Sequence, residues 1–189
     1  MITDKKTIYT IGHSTRTYAS FLSLLKEQKI EILADIRAFP GSTRFPQFNK
    51  ETLEAALMAD HISYQHLKLL GGRKKPNQNS LNTVWRNASF RAYADYMETQ
   101  PFCEGIRELE TLASGQRTAY MCSEAVWWSC HRALVSDYLK VKGWTVIHIL
   151  SEGKEQEHPF TKAARITDKG LTYNPAGTSG TSAPELFDE

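Results

Sequence analysis

Cysteine is scarce in this chain, with three in 189 residues. A small, odd number argues against a disulfide framework and for a reducing compartment, so a cytoplasmic location is expected. No C-x-x-C pair is present to mark a zinc ribbon or a thioredoxin-type centre. No apolar run approaches the length of a membrane span, and the opening Met-Ile-Thr-Asp-Lys-Lys lacks the apolar core of a secretory signal. Charge of one sign is also lacking. Lys and Arg number 23 against 21 Asp and Glu, and the resulting +2 is too mild to imply nucleic acid by itself. Glycine never forms the G-x-G-x-x-G pattern after a strand, so no dinucleotide is expected. There is no internal repeat.

What is present is an ordinary soluble-protein content, 41% hydrophobic and 23% charged, arranged as alternating strands and helices. Apolar runs predict strands over residues 7–11, 31–36, 63–67, 117–121 and 145–150. Helical spacing predicts helices over 18–28, from an Asn49 cap through Leu57, over 90–98, over 103–113 after a break at Pro101, and from Ser129 through Val141. Such alternation implies right-handed crossovers and a single three-layer α/β domain over residues 1–175. Its sheet is expected to be mostly parallel and five-stranded, with helices on both faces, Rossmann-like without the dinucleotide fingerprint. Residues 70–87 read as a long polar, basic loop, and long loops often bind or cover. The tail over 176–189, rich in Gly, Ser, Thr and Pro, is expected to be disordered.

The most informative stretch runs over residues 119–132. Cys122 closes an apolar strand, Ser129 is a candidate N-cap, and Cys130, His131 and Arg132 are expected in the first helical turn. Cationic side chains are unfavourable at the positive end of a helix dipole, so an anion or a thiolate is implied there. The competing structural account is that both cysteines are small core residues, with His131 and Arg132 pairing locally with Glu124.

In an open parallel sheet, ligands bind beyond the carboxyl ends of the strands. Those ends deliver His13 and Ser14, then Asp35, Arg37 and Ser42, then Arg73, then Cys122 and Glu124. His13, Asp35, Arg37, Cys122, Glu124, His131 and Arg132 are therefore expected to line one pocket. The leading expectation is an enzyme acting on a phosphorylated small molecule, a nucleotide or a nucleic-acid end. Cys130 or Cys122 would be the nucleophile, with Cys130 the expected low-pKa thiol. His13 or His131 would exchange the proton, and Asp35 and Glu124 complete the catalytic candidates. Asp35 is equally well read as an ion-pair partner of Arg37. Ser14, Arg37, Ser42, Arg73, Arg86 and Arg132 are the phosphate-binding candidates, with Phe45, Phe48 and Trp85 interleaved for an attached base. A tyrosine-phosphatase-type loop is excluded by spacing, because the residue six beyond Cys122 is Trp128 rather than Arg. No cofactor is expected. The second expectation is a metal or thiol-redox centre of Cys122, Cys130 and His131, joined by His13 or Asp35. The third is a non-enzymatic nucleic-acid accessory protein. An anionic small molecule or nucleotide is the expected partner, nucleic acid is a second, and a membrane is not expected.

The chain resembles the domain-of-unknown-function family 488. The matching residues are Tyr9-Thr-Ile-Gly12-His13-Ser14, Asp35-Ile-Arg37 with Pro40 and Ser42, and His66-Leu67 leading to Leu70-Gly71-Gly72-Arg73. Trp85-Arg86-Asn87 before Phe90, Tyr93-Ala94-Asp95-Tyr96-Met97, and Cys122-x-Glu124 leading to Cys130-His131-Arg132 continue the match, with His158 and Arg165 beyond. It extends over residues 9–173, and the cysteine–histidine–arginine junction is its most specific part. Lys68 departs from it, standing where many members carry proline after His-Leu. The resemblance implies a small α/β fold and supplies no reaction.

Overall fold

The computed structural model describes residues 6–177. Five strands run parallel: β1 (Thr7–Gly12), β2 (Ile32–Asp35), β3 (Ser63–His66), β4 (Thr118–Cys122) and β5 (Thr145–Ser151). A sixth, β6 (Lys154–Glu157), turns back antiparallel on β5, and the sheet order is β3-β2-β4-β1-β5-β6. The central strands β1, β2 and β4 are buried on both faces, which is why they read as continuous apolar runs. β6 carries the sequence Lys-Glu-Gln-Glu and has no such pattern. It forms because Gly153, at φ +63°, closes a tight hairpin, and its charges protect the sheet edge. A second small hairpin pairs β7 (Arg165–Thr167) with β8 (Gly170–Thr172).

Helices α1 (Tyr18–Glu27) and α2 (Lys50–Ala59) cover one face, and α3 (Ala88–Met97), α4 (Gln100–Gly115) and α5 (Arg132–Val141) cover the other. Thr17 caps α1 by accepting from Ser20 N–H, and Asn87 caps α3 by accepting from the N–H groups of Ser89 and Phe90. α4 begins at Gln100 rather than after Pro101. The proline sits in the first turn, where its missing N–H has no helical partner to lose. Asn49 is the residue before α2, but its Oδ1 accepts from Ser42 N–H instead of capping the helix.

Connections from β1 to β2 and from β2 to β3 move leftward through α1 and α2, and those to β4 and β5 move rightward over the other face. The reversal falls between the adjacent strands β1 and β4. The chain leaves these two strands toward opposite faces, and the space beyond their carboxyl ends is the natural ligand position of an open α/β sheet. No helix among the described residues is long and apolar enough to cross a membrane. The described chain ends in a short 3-10 turn over Pro175–Gly177, and the rest of the 176–189 tail lies outside the described residues.

Candidate functional site

The β1/β4 junction is held unusually close. Beyond the last strand residues, His13 N–H donates to Cys122 O (3.1 Å) and Ser14 N–H donates to Ser123 O (2.9 Å). A Cβ on Gly12 would lie 1.7 Å from Glu124 O and 2.9 Å from Arg132 Nη2, so only glycine permits the 122–125 segment to cross β1 here. Cys122 ends β4, a 3-10 turn spans Trp127–Ser129, and α5 begins at Arg132. Ser129 is therefore not the cap of α5. Its hydroxyl donates to Val126 O, and Cys130 is extended rather than helical, which turns its thiol toward Cys122.

The Sγ atoms of Cys122 and Cys130 and a ring nitrogen of His131 all lie within 4.8 Å of one another. Both cysteines are buried and His131 is half-buried. His131 Nε2 lies 3.0 Å from Ile36 O, which can only accept, so Nε2 carries the proton. Nδ1 is thereby left facing Cys122 Sγ at 3.9 Å. Gly72 closes over this ring, since a Cβ there would come within 3.0 Å of Nδ1.

Arg132 is 1% exposed and all three of its nitrogens are engaged by the protein. Nε donates to Cys130 Sγ (3.2 Å), Nη1 to Thr10 Oγ1 (3.2 Å), and Nη2 to Glu124 O (2.7 Å) and Ala125 O (3.4 Å). None of these partners is a carboxylate. A buried guanidinium needs a compensating charge, and the sulfur pair is the contact that can supply one. The single Cys130 S–H has two rival acceptors, Trp127 O at 3.8 Å and the Cys122 sulfur. The charged acceptor makes the stronger bond. Donation from Cys130, with help from His131 and the Glu124 backbone, outweighs burial and holds the Cys122 thiol well below its ordinary value. Burial and the bond to Cys122 push the Cys130 thiol up, although Arg132 pulls it down. The geometry thus favours Cys122 as the thiolate, the reverse of the order expected from the sequence, because Cys130 lies outside the helix start that was to activate it.

Asp35 and Arg37 form a second cluster. Asp35 is fully buried and accepts from Arg37 N–H, Nε and Nη2 (2.5 Å to the last) and from Tyr64 OH (2.7 Å). Arg37 Nη2 also donates to Phe48 O (2.9 Å). Burial opposes the charged form of Arg37, but the Asp35 bonds more than restore it. Asp35 is thus an ion-pair partner with its oxygens committed rather than a free base. His13 stacks on Phe48 (centroids 4.3 Å apart), donates from Nδ1 to Ser14 O, and places Nε2 3.4 Å from Arg37 Nη1. Burial, and then Arg37, lower its pKa against the opposing pull of Ser14 O.

The seven residues expected to share one pocket do gather at the carboxyl end of the sheet, but on two faces. Cys122, Cys130, His131 and Arg132 lie on the α5 side. Asp35, Arg37 and His13 lie on the α1/α2 side with Tyr64 and Phe48, and the His13–Cys122 backbone bond links the groups. Glu124 contributes its main-chain carbonyl while its side chain is exposed. Ser14 adopts φ +50° and joins the site through its N–H. Ser42 Oγ accepts from Phe45 N–H in a shallow cleft beside Asn49, away from the thiols. Arg73 and Arg86 are exposed. Arg37 and Arg132, the two arginines expected to grip phosphate, are instead committed to protein acceptors.

A buried polar chain behind the site was not anticipated. Asp137 Oδ1 accepts from His158 Nε2 (2.9 Å), and His158 Nδ1 lies 2.9 Å from His148 Nε2. Thr161 N–H and Oγ1 and Tyr173 OH complete the Asp137 shell. The carboxylate fixes His158 as donor through Nε2, so His148 donates through its own Nε2 and its Nδ1 is a lone pair, without a partner among the described residues. His148 stacks on Trp127 and faces the charge of Arg132, and burial drives its pKa to about 2. The available sequence signal was Arg132 and Ser136 one turn apart, with Asp137 next to Ser136, among the apolar Ala133, Leu134, Val135 and Leu139 of one helix.

A family model described as Domain of unknown function DUF488 matches residues 17–139, which includes the Asp35–Arg37 pair and the thiol cluster. No curated protein and no solved structure gives a significant match to the chain. With 123 of the 189 residues covered, the chain belongs to this family of domains of unknown function.

Proposed function

We propose that the protein is an enzyme that works through the Cys122 thiolate on an anionic, phosphate-bearing substrate. The observation that carries this reading is Arg132, buried without a contacting carboxylate among the described residues and donating Nε–H at 3.2 Å to Cys130 Sγ, the thiol that in turn donates to Cys122. A lone buried cation of this kind is stabilised by an adjacent thiolate. The Cys122 thiol proton passes to His131 Nδ1, the thiolate attacks the electrophilic centre, and the bond to the leaving group breaks as that group takes the same proton from Nδ1. Cys130 and Arg132 hold the sulfur's charge before attack. Water then gives a proton to His131 Nδ1 as its oxygen displaces the Cys122 sulfur, which releases the product and restores the thiolate with its protonated imidazole. Phosphate recognition falls to exposed Arg73 and its loop rather than to Arg37 or Arg132. Treatment with iodoacetamide at neutral pH, mapped by mass spectrometry, tests the nucleophile. Modification at Cys122 that slows in His131→Ala is expected. A folded protein in which Cys122 resists while Cys130 or Cys103 reacts would remove this assignment.

A second reading has its own support. Two sulfurs and an imidazole nitrogen within 4.8 Å fit a soft divalent metal such as zinc, and a backbone carbonyl on the other ring nitrogen is the usual support of a ligating histidine. Elemental analysis of protein purified without chelator separates the two. Near-stoichiometric zinc or iron, lost in Cys122→Ser, supports the metal; metal-free protein with a low-pKa thiol supports the nucleophile.

A further inference from the structure

The loops above the thiol cluster separate charge in a way the whole chain does not. Between Ile36 and Asn49 the sequence has two basic residues, Arg37 and Arg44, and no acidic one. Between Leu67 and Asn87 it has Lys68, Arg73, Lys74, Lys75 and Arg86, again with no acidic residue. A chain of net charge +2 thus carries two loops at one end of the sheet that hold basic residues without acidic ones. Arg37 is spent internally on Asp35, and half-buried Lys74 lies over the Tyr96 ring, 3.4 Å from its centroid.

These loops are fixed beside the site. A Cβ on Gly71 would come within 2.8 Å of Ala38 Cα, and one on Gly72 within 3.0 Å of the His131 ring, so the second loop packs directly on both the first loop and the site histidine. The next residue, Arg73, is held at φ +58°, a conformation that non-glycine residues rarely keep without surrounding constraint. The result sets its guanidinium over the ring of Phe39, 5.8 Å from the centroid. Phe39 is 70% exposed. Beyond β4, Trp128 is 55% exposed and stands edge-on against Trp127, which is itself stacked on buried His148. Two large aromatic faces are therefore kept in solvent on segments flanking the thiols, one with an arginine stacked on it. Aromatic faces interleaved with cations are how proteins hold the bases and backbone of an unpaired strand.

We infer that this rim binds single-stranded nucleic acid, with bases stacking on Phe39 and Trp128 and the phosphate backbone running along Arg73, Lys75 and Arg44. The inference names the substrate class of the proposed thiolate site and to that extent rests on that reading. A duplex fits less well, because its bases are already stacked and its outer surface offers no π-face.

The test is fluorescence anisotropy of a fluorescein-labelled, mixed-sequence single-stranded 12-mer of about 12 nucleotides with the full chain at low salt. Saturable binding is expected, weakened about fivefold or more in Phe39→Ala and in Trp128→Ala, the least that one lost base stack gives. Arg73→Ala and Lys75→Ala should each lower the steepness of the salt dependence by about 0.7 in log–log slope. Met58→Ala, which removes another exposed apolar side chain on α2, should bind as the parent does. Absence of saturable binding overturns the inference. So does equal binding of the matching duplex, or equal competition by a mononucleotide, since neither needs a strand laid across two aromatic faces. Ionisation of Cys122 is read separately, so a strand that binds a protein without a thiolate would sink the enzyme reading and leave the rim standing.

Discussion

Replacing Cys130 by alanine isolates the interaction that most directly sets the charge of Cys122. In the parent protein the Cys130 S–H donates to the Cys122 sulfur, and this bond is the largest contribution lowering that thiol. A hydrogen bond to a charged group contributes about 1.5–3 kcal/mol, and a thiol is a weak donor, so the lower end applies. At about 1.4 kcal/mol per unit, its loss raises the Cys122 pKa by about one unit. Cys130→Ser keeps a hydroxyl donor and should shift it less. Arg132 remains buried in both variants but loses its sulfur contact, which leaves it closer to a cation without an anion. The measurement is a pH titration of protein labelled with 13C at cysteine Cβ, which reports each sulfur separately and does not depend on reagent access. The expected parent result is Cys122 titrating well below the ordinary thiol range and Cys130 above it. If Cys130 titrates first, or if Cys130→Ala leaves the Cys122 midpoint in place, the assignment of donor and acceptor within the pair is wrong.

Three other changes follow from packing and burial. Gly12→Ala should displace the 122–125 segment and Arg132 together, since the added carbon meets Glu124 O at 1.7 Å; overpacking costs about 1–3 kcal/mol, and calorimetry should show Tm lowered by several degrees. Asp35→Asn leaves Arg37 buried with a weakened partner, so urea unfolding should show a loss of up to about 3–5 kcal/mol, smaller when Arg37→Met is added. His148 is depressed to about 2 by burial, so the unfolded chain takes up its proton near pH 6.5 while the folded chain does not. Its contribution is complete above about pH 6.5 and is lost as pH falls toward 2, and the slope of stability against pH in that window should flatten in His148→Phe.

Much of the fold was legible because the central strands β1, β2 and β4 are buried on both faces and the helices between the strands bury one side. β6 was not, since an edge strand of Lys, Glu and Gln gains its place from Gly153 and from β5 rather than from any pattern of its own. The start of α5 was misplaced for a related reason. Ser129 has the chemistry of a cap, but the Trp127–Ser129 turn uses its hydroxyl locally and moves the helix start to Arg132. The thiol cluster itself was visible as composition at a strand end. Which sulfur is the donor was not, because that depends on the approach of Arg132 and on the extended backbone at Cys130.

The arginines show most clearly where composition stops being informative. Arg37 and Arg132 sit near carboxyl ends of strands, where a guanidinium is usually read as a ligand group. What decides against that reading is the supply of acceptors already present: Asp35 and Phe48 O for one, Thr10, Cys130 and the carbonyls of Glu124 and Ala125 for the other. A guanidinium with its donors committed no longer recruits an anion in a particular shape; it imposes a charge requirement on whatever it touches. On the α1/α2 face Asp35 meets that requirement and the cluster is closed. On the α5 face no carboxylate among the described residues touches Arg132, and Asp137, five residues along the same helix, is turned away into its own shell of His158, Thr161 and Tyr173. Tyr120, Thr10 and His148 form one register across β4, β1 and β5, so a polar row crosses the otherwise apolar layer between α5 and the sheet. That arrangement keeps the two buried charges of α5 apart and leaves the sulfur pair as the group in contact with the cation. The chemistry of the site thus follows from which acceptors the fold withholds from Arg132 as much as from which residues it brings near.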